Sequence, residues 1–239
     1  MSQRILVITP AYNEAVNIQA VILAVRREFA AADVLVVNDG SQDDTSRLAR
    51  ESGAIVLDLP YNLGIGGAMQ TGYVFAYEQG YDVAIQLDGD GQHDPAYLPI
   101  LLVPIADGTA DLVIGSRFIG PSIFRSSLAR RAGIKWFAWL ISLLIGQTVT
   151  DTTSGFRAGN RSVIEFFASA YPQDYPEPES VVVAHRVGLC IQEVPVEMHV
   201  RQGGKSSINL WRSVYYAIKV TLAILMSVVR PISKQRKGL

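Results

Sequence analysis

The sequence is poor in the residues that staple or metallate small domains, with one cysteine and three histidines in 239 residues. A single thiol excludes an internal disulfide framework and a cysteine-based zinc site. Cys190 lies in the apolar run Leu189–Ile191, where a buried, inert thiol is expected. His93, His185 and His199 lack metal-ligand spacing to one another, so no catalytic or metal-binding role is expected of them. Long apolar runs are missing too, since no stretch reaches the roughly 18–20 uninterrupted residues of a spanning helix. The N-terminus opens on the strand-like Arg4–Thr9, without the basic, apolar, small-residue order of a signal peptide. A cytoplasmic protein is expected, peripherally held at the inner face of the membrane by helices described below.

Net charge is equally scarce, at −1. Near-neutrality speaks against a nucleic-acid partner, and none is expected. The sum nevertheless hides two unequal halves. Residues 1–115 hold 5 Lys/Arg against 15 Asp/Glu, a balance of −10, whereas residues 116–239 hold 16 against 7, a balance of +9. Such asymmetry suggests a metal site on one side and an anionic or membrane-facing surface on the other. With 49% apolar and 18% charged residues, wholesale disorder is excluded.

The first half alternates short Val/Ile/Leu-rich runs with helix-length segments. Ile5–Thr9, Val34–Asn38, Ala54–Leu57, Val83–Leu87 and Leu112–Gly115 are too short for helices. They are also too continuously apolar for half-exposed strands. Helical patterns fill about 14–31, 42–52, 65–79 and 95–107. This alternation predicts an α/β fold, an open doubly wound and mostly parallel sheet with ligands at the strands' carboxyl ends. Four of the five strands end in a polar or glycine-rich loop.

Asp88 and Asp90 flank a glycine at one such end, with Gln92 in the same alternation. Two carboxylates crowded there are relieved by a hard divalent cation, whose shell substrate phosphates complete. A solvated acidic turn is the plain alternative, and Asp94-Pro95 reads as a helix cap. Asp39 is placed to accept hydrogen bonds from a nucleobase, while Ser41 reads as an N-cap ahead of Asp43 and Asp44. Asn62-Leu63-Gly64-Ile65-Gly66-Gly67 opens a helix without the lysine of a phosphate loop.

Taken in order, Thr9-Pro10-Ala11-Tyr12-Asn13-Glu14, Asn38-Asp39-Gly40-Ser41, Asn62-Leu63-Gly64 and Asp88-Gly89-Asp90 resemble the nucleotide-sugar domain of family 2 glycosyltransferases, of GT-A fold. The likeness continues through Gly115-Ser116-Arg117, Thr153-Ser154-Gly155-Phe156-Arg157 and Glu193-Val194-Pro195-Val196, and covers nearly the whole chain. Gln92 after the aspartate pair is similar to polyprenyl-phosphate sugar synthases of the dolichol-phosphate mannose synthase type. The resemblance implies that Pro10, Tyr12, Glu14 and Asp39 cradle base and ribose, with Asn62 and Gly64 in the donor site. It implies that Asp88, Asp90 and Gln92 hold Mg²⁺ or Mn²⁺ and the diphosphate. Arg117 and Arg131 then grip a lipid phosphate, and Asp151 and Glu179 face the acceptor. Arg201 and Lys205, in a glycine-hinged loop, are placed to cover the diphosphate, unless the loop is simply a linker.

Residues 1–206 are accordingly expected to form the GT-A domain, with 1–115 as its nucleotide-sugar half and 116–206 as its acceptor half. Residues 207–239 form an amphipathic helix and basic tail. In the helical segment at about 127–145, Arg131, Lys135, Ala138 and Ser142 form a polar stripe among Trp136, Phe137, Trp139 and Leu140. In the segment at about 208–229, Arg212, Tyr216, Lys219, Ser227 and Arg230 do the same among Trp211, Ile218, Leu222 and Leu225. Such helices fit the headgroup region of a membrane, and Lys234, Arg236 and Lys237 add about 1 kcal/mol each of attraction to anionic lipid. Burial against the domain, or against a small integral membrane protein, is the other reading. The expected reaction is inverting, metal-dependent transfer from a nucleotide-diphosphate sugar to a polyprenyl phosphate. A hydroxyl acceptor in polysaccharide or lipid-linked glycan synthesis would instead need Asp151 or Glu179 as base. A non-catalytic membrane-complex subunit is the third alternative.

Overall fold

The computed structural model describes residues 3–120, 128–198 and 210–229. Its strands are β1 (Ile5–Ala11), β2 (Ala32–Asn38), β3 (Ile55–Asp58), β4 (Val83–Gln86), β5 (Leu112–Ser116), β6 (Arg157–Asn160) and β7 (Ile191–Pro195). They form one sheet in the order β3-β2-β1-β4-β6-β5-β7. β6 runs antiparallel to both β4 and β5, and the other pairings are parallel. The mostly parallel α/β sheet expected from the alternation is therefore present.

Helices cover both faces. α1 (Ile18–Glu28), α2 (Thr45–Glu51) and α4 (Leu98–Ala106) pack on Val7, Val36, Ile85 and Val113. α3 (Gly64–Glu78), α5 (Leu128–Ile145), α6 (Arg161–Ser169), α7 (Pro176–Arg186) and α8 (Leu210–Val229) pack on Leu6, Ile8, Ala84 and Ile114. The alternation of inward residues along each strand sends neighbours such as Val7 and Ile8 into opposite cores. Both cores exclude water, with Leu6, Val7 and Ile8 fully buried.

Several expectations are corrected. β3 is an edge strand bonded only to β2, so its residues are exposed or half-buried rather than covered on both faces. α1 starts at Ile18, because Asn17 and Ile18 both donate to the Glu14 carbonyl and close a turn first. Cys190 is exposed. Its backbone is pinned to Asp111 just before β7, outside either core.

The helix stripes also change. In α5, Ala138 is buried and the Ser142 hydroxyl bonds to Val149, while Trp136, Trp139 and Leu143 stand outward beside Lys135. In α8, Val220, Ile224 and Ser227 face the domain, and Ile218, Leu222, Leu225, Met226 and Val229 are exposed. Ser227 tolerates burial because its hydroxyl donates to the Ile224 carbonyl. No helix among the described residues is long and apolar enough to cross a membrane. Arg212 and Tyr216 have undescribed side chains, and Arg230, Lys234, Arg236 and Lys237 lie outside the described residues.

The same substitution has opposite consequences on two helices. A Cβ at Gly72 on α3 would run into Ile8 Cγ2, whereas one at Gly133 on α5 meets nothing within 4 Å among the described residues. Gly72→Ala is expected to lower stability by about 1–3 kcal/mol through overpacking. Gly133→Ala is expected to raise it by about 1 kcal/mol through helix propensity. Urea unfolding of both variants checks the sign.

Candidate active site

The loops after β1 and β2 are joined by side-chain hydrogen bonds to backbone. Asn13 occupies the left-handed region at φ 56°, the one non-glycine among the described residues to do so. Its side-chain oxygen accepts from Gln42 N at 2.8 Å, and its own N–H donates to Ser41 Oγ at 2.9 Å. Glu14 N donates to Thr45 Oγ1 at 2.9 Å. Ser41 is thus not the cap of α2, because its hydroxyl is committed to the β1 loop.

Asp39 is buried, and its two oxygens accept from Leu63 N at 2.7 Å and Gly64 N at 2.9 Å. A carboxylate at a helix N-terminus is favoured by the backbone donors and the dipole together. Gly40 makes this approach possible, since its φ of 72° suits glycine and a Cβ would stand 2.9 Å from Asn62 N. Asn62 is exposed and accepts from Gly64 N at 3.0 Å. Pro10, next to last in β1, lies beside Gly89, and Tyr12 is exposed at the same edge. The expected donor-site residues Pro10, Tyr12, Glu14, Asp39, Asn62 and Gly64 thus belong to three adjoining loops.

Asp88 and Asp90 leave the carboxyl end of β4. Asp88 Oδ1 accepts from Gln86 Nε2 at 3.3 Å, and Asp90 Oδ1 accepts from Gln92 N at 3.0 Å. Gly155 lies against this carboxylate, where a Cβ would come within 2.8 Å of Asp88 Oδ2. His93 is buried and stacked on Phe156 at 5.0 Å between ring centroids. Its Nδ1 accepts from Asp88 N at 3.3 Å. Burial lowers the His93 pKa and prevails over the pull of Asp88 and Asp90 the other way. The imidazole is therefore a neutral brace for the loop. Asp94 caps the following turn, accepting from Ala96 N at 2.9 Å, as expected.

Among the described residues, neither Asp88 nor Asp90 has a Lys or Arg partner within ion-pair distance. No group of three His, Cys, Asp or Glu converges there either. Two half-buried carboxylates with hard oxygen donors fit a Mg²⁺ or Mn²⁺ ion that keeps positions for phosphate oxygens and water. Histidine-rich or thiolate metal chemistry does not fit.

The second half of the chain is organised by a buried ion pair. Arg117, just beyond β5, donates from Nε and Nη2 to the two oxygens of Asp151, each at 2.6 Å. Arg117 N donates to the same carboxylate at 3.1 Å, and Nη2 also reaches Thr153 Oγ1 at 2.8 Å. Glu193 on β7 accepts from Thr150 N and Asp151 N, both at 2.7 Å, and from Thr150 Oγ1 at 3.0 Å. Burial raises the Glu193 pKa, with the Thr150 and Asp151 N–H groups opposing it. Glu193 therefore holds the loop that presents Asp151 to Arg117. The motif Glu193-Val194-Pro195-Val196 was the only sequence signal for it.

Arg157, on β6, is the largest fully buried side chain. It donates to the carbonyls of Ser154 at 2.7 Å and Thr152 at 3.0 Å, and to Ser180 Oγ on α7. Glu177 opens α7, and its pKa is raised by burial, against the nearby Arg157 and with the nearby Asp88. Sequence reasoning selected Glu179 instead, whose Oε1 accepts from Tyr175 N at 3.2 Å at the helix entrance. Arg131 is exposed on the first turns of α5. Arg201 and Lys205 lie outside the described residues.

The family profile "Glycosyl transferase family 2" matches residues 6–167. The chain is 33% identical over 215 residues to an undecaprenyl-phosphate mannosyltransferase of Micrococcus luteus, covering 86% of this chain and 88% of that protein. It is 32% identical over 218 residues to a polyprenol monophosphomannose synthase of Mycolicibacterium smegmatis, covering 87% and 82%. A UDP-N-acetylglucosamine–dolichyl-phosphate N-acetylglucosaminyltransferase of Methanococcus voltae is 30% identical over 213 residues, covering 81% and 84%. Among solved structures, glucosyl-3-phosphoglycerate synthase of Mycobacterium tuberculosis, with Mn²⁺, UDP and glucosyl-3-phosphoglycerate, has a TM-score of 0.73. The identity there is 22%, covering 97% of this chain and 82% of that one, and the likeness is one of fold.

Removing Asp151 leaves a buried guanidinium without its counterion. Asp151→Ala is expected to cost about 3–5 kcal/mol. Glu193→Gln is expected to cost about 1–3 kcal/mol through imperfectly satisfied amides. Because Glu193 acts on Asp151, the double variant should lose less than the sum of the two single losses. Strict additivity in urea unfolding would argue against that coupling.

Proposed function

The chain belongs to glycosyl transferase family 2, and from that premise we propose that it transfers a sugar, with inversion, from a nucleotide-diphosphate sugar to a polyprenyl phosphate. It is a glycosyltransferase, and three relatives at 30–33% identity are named for polyprenyl, undecaprenyl or dolichyl phosphate acceptors. The observation that carries the acceptor assignment is the state of the two carboxylates a hydroxyl acceptor would need. Both Asp151 oxygens are bonded to Arg117, and Glu179 accepts from the backbone at the α7 entrance. A phosphate acceptor is already anionic at neutral pH and requires no strong base to activate it.

In the proposed reaction, Pro10, Tyr12, Glu14 and Asp39 on the β1 and β2 loops bind base and ribose, with Asn62 and Gly64 completing the donor site. Asp88 and Asp90 hold the divalent ion, with Gln92 at the same turn. That ion supplies charge neutralisation as the diphosphate leaves. The exposed Arg131 orients the acceptor phosphate for backside attack on the anomeric carbon, so that its oxygen bonds to C1 as the diphosphate departs. Arg117, buried against Asp151, shapes that edge from within instead of gripping the phosphate. A guanidinium suits this task through its charge and fork geometry. Arg201 and Lys205 belong to the loop that would cover the diphosphate.

Membrane attachment is the finer part of the proposal. The outward faces of α5 and α8 carry Trp139, Leu143, Leu225, Met226 and Val229, with Lys135 beside them. Tryptophans and cations bordering aliphatic surface suit the headgroup boundary. The protein is therefore proposed to work at the inner face of the membrane without spanning it.

Incubation with membranes, polyprenyl phosphate and a panel of nucleotide sugars is expected to yield one lipid-phosphate sugar. Chelation should abolish the product and Mn²⁺ or Mg²⁺ restore it, and Asp88→Asn should lower turnover at least about 10²-fold, on the scale of losing a principal electrostatic stabiliser. Absence of product across the panel would sink the assignment. For the membrane, Trp139→Glu with Leu143→Glu should reduce flotation with anionic vesicles, and unchanged flotation would count against attachment through α5.

A further inference from the structure

β4 is a short buried strand, and it ends on an amide, Gln86, where a hydrocarbon would be expected. Gln86 is only 1% exposed. Ala84 belongs to the core beneath α3 and α5–α8, whereas Ile85 and Leu87 belong to the opposite one. The two-residue period of a strand therefore turns Gln86 into the first core, two residues before Asp88. A buried amide is costly there unless both of its ends are bonded. Among the described residues it has two partners. Nε2 donates to Asp88 Oδ1 at 3.3 Å, and Oε1 accepts from the Tyr171 hydroxyl at 3.4 Å.

The polarity of these bonds has one solution. An ionised carboxylate only accepts, so the NH₂ of Gln86 faces Asp88 and its oxygen faces Tyr171. Tyr171 then has to donate. Its hydroxyl keeps the proton because burial raises its pKa well above the ordinary value, with Tyr73, Glu177 and Asp88 adding and Arg157 opposing. The ring is fixed against Phe167 at 5.0 Å and Tyr73 at 5.4 Å between centroids. Gln173 Nε2 donates to the Tyr171 carbonyl at 3.0 Å and to Gln70 Oε1 on α3 at 2.8 Å. The hydroxyl is thus delivered by a segment braced on the helix that opens at the donor-site residue Gly64. Gly155 packs against both bonded groups, since a Cβ there would come within 3.0 Å of Gln86 Nε2 and 2.8 Å of Asp88 Oδ2. Asp88 passes from this packed interior to solvent, with 35% of its side chain exposed. The carboxylate is held from behind, and the remainder is accessible to an ion.

We propose that Gln86 is a positioning residue for the divalent ion: it orients the Asp88 carboxylate, and Tyr171 orients Gln86. The assignment rests on the reading of Asp88 as a metal ligand and adds the groups that aim it. A hydrogen bond to a ligating group fixes its orientation, and losing such a partner lowers metal affinity about 10–100-fold. Tyr171 stands 85 residues beyond Gln86. The second half of the chain therefore sets the geometry of a ligand that belongs to the first.

The test titrates Mn²⁺ alone into the metal-free full chain and follows free Mn²⁺ by electron paramagnetic resonance. Gln86→Met keeps the length of the side chain and removes both polar ends. It should weaken Mn²⁺ binding at least about ten-fold. Tyr171→Phe keeps the ring packing and removes only the hydroxyl, for a loss of about three-fold, the scale of one neutral hydrogen bond. In the Gln86→Met background Tyr171→Phe should cost little more, because its effect passes through the amide. The Mn²⁺ concentration for half-maximal turnover should rise with the dissociation constant, while KM for polyprenyl phosphate changes less than about two-fold. Gly72→Ala strains the same core without touching Asp88, so it should leave Mn²⁺ affinity unchanged and thereby separates aiming from stability. Unchanged affinity in folded Gln86→Met, or in Tyr171→Phe where Gln86→Met does not fold, overturns the positioning role, as do equal losses in Gly72→Ala. Asp88→Asn is the reference for the metal itself. If it leaves Mn²⁺ binding intact, the metal-ligand reading fails and the positioning role with it. If it abolishes binding while Gln86→Met does not weaken it, the positioning role alone is refuted.

Discussion

Carboxylates crowd one edge of this sheet, and the way each is compensated organises the rest of the molecule. Asp39 is satisfied by backbone donors at the α3 entrance, Asp151 by Arg117, and Glu193 by the amides of Thr150 and Asp151. Each carboxylate joins elements distant in sequence, so electrostatic necessity becomes structural connection. Asp88 and Asp90 stand apart from this pattern. They share the same edge but lack a cationic side chain at ion-pair distance among the described residues. Like charges so placed suit an external cation, which sets this pair apart from the acids bonded within the fold.

The reversed strand β6 brings the two halves of the molecule together. Insertion between β4 and β5 sets its entrance, Ser154-Gly155-Phe156, against the Asp88 loop. Phe156 stacks on His93, Gly155 makes room for the Asp88 carboxylate, and Arg157 ties the loop to α7. A buried guanidinium bonded to carbonyls and a hydroxyl is costly unless every donor finds a partner. Such an arrangement favours a single loop conformation. The segment that the second half contributes is therefore a bonded support for the Asp88 loop.

The sequence revealed the strands whose burial is written as apolar runs, namely β1, β2, β4 and β5. It did not reveal β6, because Arg-Ala-Gly-Asn is buried by pairing on both sides and by a satisfied arginine, neither of which has a hydrophobic period. The motif loops were legible because paired aspartates and glycine-rich turns are unusual at strand ends. Their partners were not. Asp151 lies 34 residues from Arg117 and Glu193 lies 42 from Asp151, distances over which no local pattern speaks. The helix faces failed for a related reason. Ala138, Ser142 and Ser227 count as polar or small in a periodicity, yet each fits against the domain, while larger apolar residues face outward.

The division of charge between the halves also gains a physical meaning. Two of the arginines that make the second half basic are buried and committed inside the protein, Arg117 to Asp151 and Arg157 to the neighbouring carbonyls. They offset acidic groups at the edge and contribute little to any surface field. The exposed cations of this half include Arg131 and Lys135 on the first half of α5. On the proposed reading, donor and acceptor therefore approach from different sides. The nucleotide settles on the loops of β1 to β3, and the acceptor phosphate comes from the side of α5. They meet above Asp88 and Asp90, the carboxylates proposed to hold the divalent ion.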